Sequence, residues 1–522
     1  MAWLGLACPA LAQMEIEPFS APVDAGEVAD AGATSGAMTI DSFEPIEIPD
    51  AGVAAPATVV EEFSTKDTSP TVRVYGWAWG HGAVDTGFES ERGAPMAENV
   101  AEGRLKALLG VDVKLNPHLR LVLEGRAQVR VVTQRDFDRA KGFYEAMLGD
   151  AFVDLYTSKV DLRVGNQRIP LGANPALAPA DALNPRDLRE SLISGELEDT
   201  LLPVFAIRAQ GDVGKVTWLA AYAPFFTPHR YFVFGQDEAL LQPGLGPAFD
   251  NTRVDPSVED YLQDRVLETQ RPPPFAGDVA LRVVRHGRVK LGASWVWMNE
   301  KLPRVVVDPE LQQLMASQAK GEPADPALAA SVLNRFQAGE DLYVGNYKRT
   351  HLFSLEGSAL LGPGQLDVDV TFTPRQTYFD IDFTPLDKSA LTWVFGYSQA
   401  SDSPLLYTVG YLGMAVFDVK AQEQLFLIEP ATAAGAARTA FFHLFLATVG
   451  YGFFDKKLEV TLRAGLDPIQ WSLALGPRVS WEAFTGFKVF AGAEFFVGQP
   501  WTPFGYFGRN DKVLAGVRYD LW

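Results

Sequence analysis

Charged side chains recur at every second position along several segments of the 522-residue chain. In the clearest segment, Arg120, Arg126 and Arg130 alternate with apolar residues, and Glu124 lies in the same phase. Guanidinium and carboxylate groups on one face of an extended chain create a field that can attract, repel or orient a charged solute. The candidate residues for such a surface are Arg104, Lys106, Arg120, Glu124, Arg126, Arg130, Arg163, Asp367 and Asp369.

The residue types that enzymes and metal sites most often use are scattered. The six histidines show no ligand spacing, and neither G-x-S-x-G nor H-E-x-x-H occurs. Cys8 is the only cysteine. We therefore expect no catalytic residue, no metal and no cofactor, although a site assembled from distant parts of the chain would leave no local motif.

The segment Leu119–Val131 shows how regular the alternation is. Its odd positions are apolar or glycine, and its even positions are mostly charged, which is typical of a β-strand with two unlike faces. An Arg or Lys that faces lipid near the bilayer midplane costs about 2–4 kcal/mol, so the charged face is predicted to line the lumen of a barrel. A soluble β-sandwich would also alternate, but these strands are commonly ten residues or longer, as membrane-spanning strands are.

The same alternation divides residues 71–522 into 18 predicted strands, with 16 as the other count that the pattern allows. Every second connection is short and contains turn residues, as at Asn116-Pro117, and most of the others are long. An even number of strands joined by alternating short turns and long loops is typical of outer-membrane barrels. The fold class predicted is therefore all-β, a single transmembrane antiparallel β-barrel.

Two long connections carry further signals. The connection Ile169–Thr200 is rich in proline and could fold inward to narrow the channel. Its charged residues would then lie at a constriction. The alternative is an extracellular loop with one helical turn. The constriction candidates are Arg186, Asp187, Arg189 and Glu190. The connection 299–349 has helix-like stretches at Pro309–Gln318 and Pro326–Gln337, which would form a lid, a plug or solvated surface helices.

The N-terminal part of the chain differs from the rest in composition. Residues 1–12 end in an A-x-A pattern and are predicted to be a signal peptide whose start is truncated. Residues 13–70 lack any period, and Lys66 is the only base against twelve acidic residues in positions 1–70. We expect a disordered acidic leader in the periplasm. No basic surface for a nucleic acid is present.

Two stretches resemble known outer-membrane proteins. Val513–Trp522 alternates and ends on an aromatic residue, and it resembles the C-terminal signal by which the barrel assembly machinery recognises its substrates, although Asp520 stands where an aromatic residue is usual. Gly165–Gly172 followed by Asp181–Leu188 resembles the G-x-Q…G…D-x-x-N-P-x-D-L stretch of large, mostly uncharacterised porin-like barrels of Gram-negative bacteria. Leu171 replaces the tryptophan that is common in those relatives. The resemblance implies an outer-membrane barrel without naming a solute.

The function predicted is an outer-membrane channel, porin-like, for diffusion of small polar or charged solutes. Its arginine-rich second to fifth strands would oppose acidic tenth and eleventh strands across the pore, unless salt bridges merely neutralise both. A plugged structural or adhesive barrel is the alternative class, and an outer-membrane hydrolase is a third. The partners expected are membrane lipid, the assembly machinery and small solutes. Porins commonly form homo-oligomers, but no interface is marked in the sequence.

Overall fold

The computed structural model describes residues 70–86, 99–134, 140–174, 178–190, 200–232, 238–239, 270–319, 325–380, 384–399, 403–428, 438–499 and 502–521. Within these residues, eighteen strands pair into one antiparallel sheet. The sheet strands are β1 Thr71–Asp85, β2 Asn99–Asn116, β3 Leu119–Gln134, β4 Ala140–Tyr156, β5 Asp161–Gln167, β6 Val204–Val213, β7 Val216–Ala223, β8 Asp278–Arg285, β9 Val289–Asn299, β12 Arg349–Leu361, β13 Gly364–Phe379, β14 Pro385–Gln399, β15 Leu405–Val419, β16 Arg438–Phe453, β17 Leu458–Asp467, β18 Ser472–Phe484, β19 Phe487–Val497 and β20 Lys512–Leu521.

Each sheet strand pairs with its neighbours along the chain, and β1 pairs with both β2 and β20. That last pairing closes the barrel, which leaves no sheet edge with unpaired backbone groups. The predicted closed barrel of about 18 strands is confirmed, and the count of 16 is excluded. We call the end that carries the short turns the turn end and the opposite end the loop end.

The connection between β9 and β12 contains its own small structures. A hairpin of β10 (Arg304–Val307) and β11 (Tyr343–Asn346) encloses two helices, α1 (Pro309–Ala319) and α2 (Pro326–Gln337). The sequence predicted both helices to within one residue, but it did not predict the hairpin. No helix in the described part of the chain is long and apolar enough to cross a membrane.

The two faces of the barrel wall differ as the alternation predicted. On β2, Leu105 and Leu109 point outward with 64% and 57% of their surface exposed, whereas Arg104 and Lys106 point inward with 5% and 7%. Because apolar side chains dominate the outer face, the barrel presents lipid-compatible surface around its circumference. Large aromatic side chains such as those of Trp297 and Trp481 also lie on this outer face.

Strand β4 differs from the sequence pattern, in which the alternation predicts a loop over residues 134–149 and a strand only from residue 150. The strand begins at Ala140, and its register with β3 shifts between Leu123 and Gly125. At this bulge two residues of β4 lie opposite one residue of β3, so the inward positions are odd up to Met147 and even from Phe152. The change of phase broke the two-residue period on which the sequence prediction depended.

The predicted signal peptide and the acidic leader lie outside the described residues, which begin at Pro70. Their assignment stays a prediction.

An arginine on the outer face should destabilise the barrel. Leu109 lies near the middle of β2 and points outward, so Leu109→Arg is expected to cost about 2–4 kcal/mol if the barrel spans a bilayer. The measurement is the urea dependence of folding into lipid vesicles, with Leu109→Met as the control for the loss of leucine. Equal unfolding midpoints for the two variants would contradict a lipid-facing Leu109.

Candidate functional site: the lumen

The lumen wall near the loop end carries buried charges that are arranged in pairs. Glu102 accepts hydrogen bonds from Arg104 Nε at 2.7 Å and from Arg130 Nη2 at 2.8 Å. Glu190, which belongs to the connection between β5 and β6, lies 2.5 Å from Arg104 Nη1 and 2.8 Å from Lys106 Nζ. Each buried cation is thus compensated by a carboxylate, as the cost of burying a lone charge requires.

A second connection contributes to the same network. Glu238, between β7 and β8, lies 2.8 Å from Arg130 Nη2 and 3.2 Å from Lys512 Nζ. Lys512 also lies 3.4 Å from Glu494 Oε2. The network therefore joins the wall formed by β2, β3, β19 and β20 to the two connections that contain Glu190 and Glu238, which enter the barrel from the loop end.

Nearer the turn end, the charged pairs lie on adjacent wall strands. Arg120 donates to both carboxylate oxygens of Asp112 at 2.9 and 2.6 Å. Arg163 does the same to Asp154 at 2.6 and 2.9 Å. These bidentate pairs hold each guanidinium flat against the wall.

Between these two levels, Glu124 is a shared acceptor. Its carboxylate accepts a hydrogen bond from Tyr75 Oη at 2.8 Å and lies 3.4 Å from Arg168 Nη2 and 3.8 Å from Arg126 Nη2. Arg168 also binds Asp150 at 2.9 Å. The predicted lining residues of β2 to β5 thus all face the interior, and each cation among them has a carboxylate within 4 Å.

The described parts of the connection between β5 and β6, residues 168–174, 178–190 and 200–203, reach into the interior of the barrel, and we call them the inner loop. Asp369 of β13, which is fully buried, accepts hydrogen bonds from the backbone N–H of Ala173 at 2.8 Å and of Asn174 at 2.7 Å. Arg282 of β8 donates to Gly172 O at 2.9 Å and to Glu356 Oε1 at 2.8 Å. The inner loop therefore leaves β5 and docks on β8 and β13 across the interior.

The far part of the inner loop returns to the opposite wall. Asp187 binds Arg189 at 2.5 Å, and Arg189 reaches Glu145 of β4 at 2.8 Å. Burial acts to raise the pKa of Asp187 and of Glu190, but neighbouring cations hold both pKa values below their usual range. The constriction candidates Asp187, Arg189 and Glu190 are thus charged groups that lie in the lumen beside β2 to β4.

Arg186, the remaining constriction candidate, is buried within the loops. Its backbone N–H donates to His229 Nδ1 at 2.7 Å, and its guanidinium lies 3.5 Å from Asp181 Oδ2. A short parallel bridge pairs Asp187 with Arg230. The inner loop and the connection between β7 and β8 are therefore held together by hydrogen bonds.

The motif that resembles porin-like families holds the two ends of the inner loop together. Asn184, which is fully buried, accepts from the N–H of Ile169 at 2.8 Å and donates to Leu202 O at 2.9 Å. Gln167 donates to Ala206 O at 2.9 Å. These motif residues bond to backbone groups and therefore position the inner loop.

Part of the interior is apolar, which the sequence prediction did not include. Leu412, Met414, Leu444 and Leu446 point inward from β15 and β16 and pack against loop residues such as Phe426. A second apolar cluster joins the start of the inner loop to β6–β9 and β12. The signal was present in 439–454, a run of sixteen residues without Asp, Glu, Lys or Arg, because the inward face of that strand packs against apolar loop residues and its outward face is apolar as well.

A cavity of about 340 Å³ lies where the inner loop meets the charged wall. Phe232 forms one side of it, with the guanidinium carbons of Arg130 and Arg189 5.3 and 5.7 Å from its ring centre. The lining residues are Arg104, Gln128, Arg130, Gly142, Phe143, Tyr144, Glu145, Arg189, Glu190 and Phe232. Sequence reasoning missed Glu145 because residues 134–149 were predicted to be a loop, and it missed Phe232 and Glu238 because their segment has no period.

No group of three or more His, Cys, Asp or Glu side chains among the described residues is arranged to hold a metal ion. The cavity offers hydrogen-bond donors, acceptors and the aromatic side chains of Phe143, Tyr144 and Phe232. Such a surface can orient a polar solute, and it contains no paired nucleophile and base.

Docking of the inner loop should depend on pH through Asp181. Burial raises the pKa of Asp181 from 3.8 to about 6, so the docked loop favours the protonated carboxyl. Its contribution to docking is full below pH 3.8 and is lost as pH rises to about 6. We expect open-channel noise to increase between pH 4 and 6 and this increase to be smaller in Asp181→Asn. If open-channel noise depended on pH in the same way in the two proteins, the role of Asp181 in docking would be contradicted.

Comparison with known proteins gives weak similarities. A family described as a protein of unknown function (DUF1302) matches residues 33–236, which is less than half of the chain. No curated protein matches. The Acinetobacter baumannii OccAB1 structure is 8% identical with a TM-score of 0.44, covering 88% of this chain and 98% of that one.

Two further solved structures are similar to the same degree. The Pseudomonas aeruginosa OccK2 (OpdF) complex with glucuronate is 11% identical with a TM-score of 0.42, over 86% of this chain and 96% of that one. The Salmonella typhi OmpF complex with daunomycin is 9% identical with a TM-score of 0.39, over 86% and 97%. The barrel assignment rests on the strand pairing of the chain itself.

Proposed function

We propose that the chain is an outer-membrane channel, porin-like, through which small polar or charged solutes diffuse. The observation that carries the proposal is the combination of an apolar outer face with a charged lumen that the inner loop crosses from β5 to Asp369. A closed barrel with a polar interior is the architecture of a diffusion channel, and a loop folded into it restricts the size of what passes.

The test is planar-bilayer conductance of the purified, folded full-length protein, with reversal potentials in a salt gradient. Stable single-channel steps are the expected result. The triple variant R120Q/R126Q/R130Q is expected to shift the reversal potential towards cation preference, because it removes three lumen cations. An unchanged reversal potential would mean that salt bridges neutralise this wall, and charge selectivity would then be rejected.

A plugged structural or adhesive barrel is the second candidate. The contacts between the inner loop and the connection between β7 and β8 favour it, since the inner loop pairs with residues 229–232 and packs on an apolar cluster inside the barrel. The absence of single-channel conductance from a protein whose folding has been verified would support this reading. A hydrolase is the third reading, and the described lining of the cavity, which includes no Ser, Thr, Cys or His, does not favour it.

The location and the partners follow from the same proposal. An outer-membrane barrel would contact lipid through its outer face and would be inserted by the barrel assembly machinery through Val513–Trp522, most of which forms the closing strand β20. The acidic leader would then lie in the periplasm. Whether the barrel forms a homo-oligomer is a question for cross-linking in membranes.

A further inference from the structure

The outer face of the barrel carries an aromatic and basic patch at the loop end of β9 and β12. Trp297 points outward with 37% of its surface exposed. The guanidinium carbon of Arg349 lies 3.6 Å from the centre of the Trp297 ring, and the ring of His351 stacks 6.2 Å from it. Tryptophan with a neighbouring arginine is typical of the level at which lipid headgroups begin.

Three cations converge beside this patch on a single carboxylate. Arg304 Nε and Arg375 Nε each lie 3.9 Å from an oxygen of Asp387, and Lys348 forms a closer ion pair with it. Arg375 lies at the bulge of β13, and its side chain is 65% exposed. One carboxylate cannot neutralise three cations, so the cluster has a surplus of positive charge.

The other charged groups nearby do not remove this surplus. Glu300 accepts a hydrogen bond from the N–H of Thr377 at 2.8 Å, and burial raises its pKa to about 7. Arg349, adjacent to Lys348, adds a fourth cation and donates to the carbonyl of Ala276. Four cations therefore face at most two negative charges, on a chain whose formal net charge is −20.

The donors of the cluster also have unused capacity. Arg304 Nε and Arg349 Nε are buried atoms that have no hydrogen-bond partner in the described part of the chain. Arginine forks match the geometry of phosphate oxygens, and each basic residue near a membrane surface contributes about 1 kcal/mol to the binding of anionic lipid. Arg375, whose side chain is 65% exposed and whose Nε lies 3.9 Å from Asp387, offers N–H groups that a phosphate can reach from outside the barrel.

We propose that the rim cluster, defined as Arg304, Lys348, Arg349 and Arg375, binds the phosphate of an anionic lipid headgroup in the leaflet at the loop end. The patch favours a lipid over free phosphate, because Trp297 and His351 place apolar surface for an acyl chain directly beside the cations. The inference depends on the barrel spanning a membrane, as proposed above, but it does not depend on conduction.

The experiment is a calorimetric titration of the detergent-folded full-length protein with dioctanoyl phosphatidic acid. We expect R304Q/R375Q to bind on the order of ten-fold more weakly than the unmodified protein. R304K/R375K should keep most of the affinity. The control is R288Q, which removes an exposed cation from the turn end and should bind as the unmodified protein does. Titrations with dioctanoyl phosphatidylcholine and with sodium phosphate distinguish a lipid phosphate from other ligands.

Equal affinity of R304Q/R375Q and the unmodified protein would overturn the proposal, and so would equally tight binding of phosphatidylcholine or of sodium phosphate alone. If R304Q/R375Q does not fold, the proposal is tested by the salt dependence of phosphatidic acid binding to the unmodified protein. An affinity that does not fall as the salt concentration rises would also overturn the proposal. Bilayer conductance of the same preparations separates the two proposals. Charge-dependent lipid binding by a silent barrel would contradict the channel function only.

Discussion

Replacement of Asp369 by alanine is expected to raise the single-channel conductance and to add open-channel noise. Asp369 fixes the inner loop through two backbone hydrogen bonds, from Ala173 and Asn174. A buried hydrogen bond contributes about 1 kcal/mol net, and more when the acceptor is charged, so losing both would cost about 2–3 kcal/mol and would shift the ratio of docked to undocked loop by roughly one to two orders of magnitude. An undocked loop no longer crosses the lumen, and ions pass more freely.

The matched control is Asp367→Ala. Asp367 lies two residues earlier on the same inward face of β13, and it accepts a hydrogen bond from Gln365 of its own strand. Both variants remove one negative charge from the same wall, but only Asp369→Ala removes the contact with the inner loop. Asp369→Asn should be intermediate, since it keeps one acceptor oxygen. Identical conductance and noise in the two alanine variants would contradict the anchoring role of Asp369.

Gly172 provides an independent way to disturb the same docking. Its φ of +102° is unfavourable for any residue with a Cβ, and a Cβ there would lie 2.4 Å from Ala178 Cβ and 2.9 Å from Asp369 Oδ1. We therefore expect Gly172→Ala to reproduce the increase in conductance of Asp369→Ala. Combining both changes should add little, because both act on one contact.

The barrel could be predicted from the sequence because its two faces meet different solvents. Lipid outside and charges inside impose a period of two residues, and turns of two to four residues interrupt it at regular places, as at Asn116-Pro117. The prediction failed in β4, where the bulge near Gly125 reverses the phase. The strand in 439–454 was predicted, but the apolar packing of its inward face on loops was not.

The site could be predicted only in part. The lumen positions of Arg104 and Arg130 follow from the strand phase, which is a local property of the sequence. Their partners Glu190 and Glu238 lie 86 and 108 residues away in irregular segments, and no local pattern encodes such contacts. The same holds for Asp369, whose place in the acidic wall was predicted but whose partner is the backbone of a loop 195 residues away.

Replacement of Glu145 by glutamine should make the channel more selective for anions. The carboxylate of Glu145 accepts hydrogen bonds from Gln128 at 2.6 Å, from Arg189 at 2.8 Å and from Arg230 at 2.5 Å. Arg189 keeps Asp187 as a partner, whereas Glu145 is the one carboxylate that Arg230 contacts among its described ion pairs. The change therefore exposes a guanidinium beside the cavity without altering the shape of the side chain.

The size of this effect follows from the position of the charge. At ~7 Å from a passing ion and an effective dielectric constant of about 40, between those of protein and water, one charge is worth about 1 kcal/mol, which is about a five-fold change in relative permeability. The reversal potential in a salt gradient measures it. Glu340→Gln is the matched control, because Glu340 is a solvent-exposed residue that pairs with Arg335 in the connection between β9 and β12. Arg230→Gln should move the reversal potential in the opposite direction. Equal reversal potentials for Glu145→Gln and Glu340→Gln would mean that ions do not pass the cavity, and the route through the lumen would have to be sought along another wall.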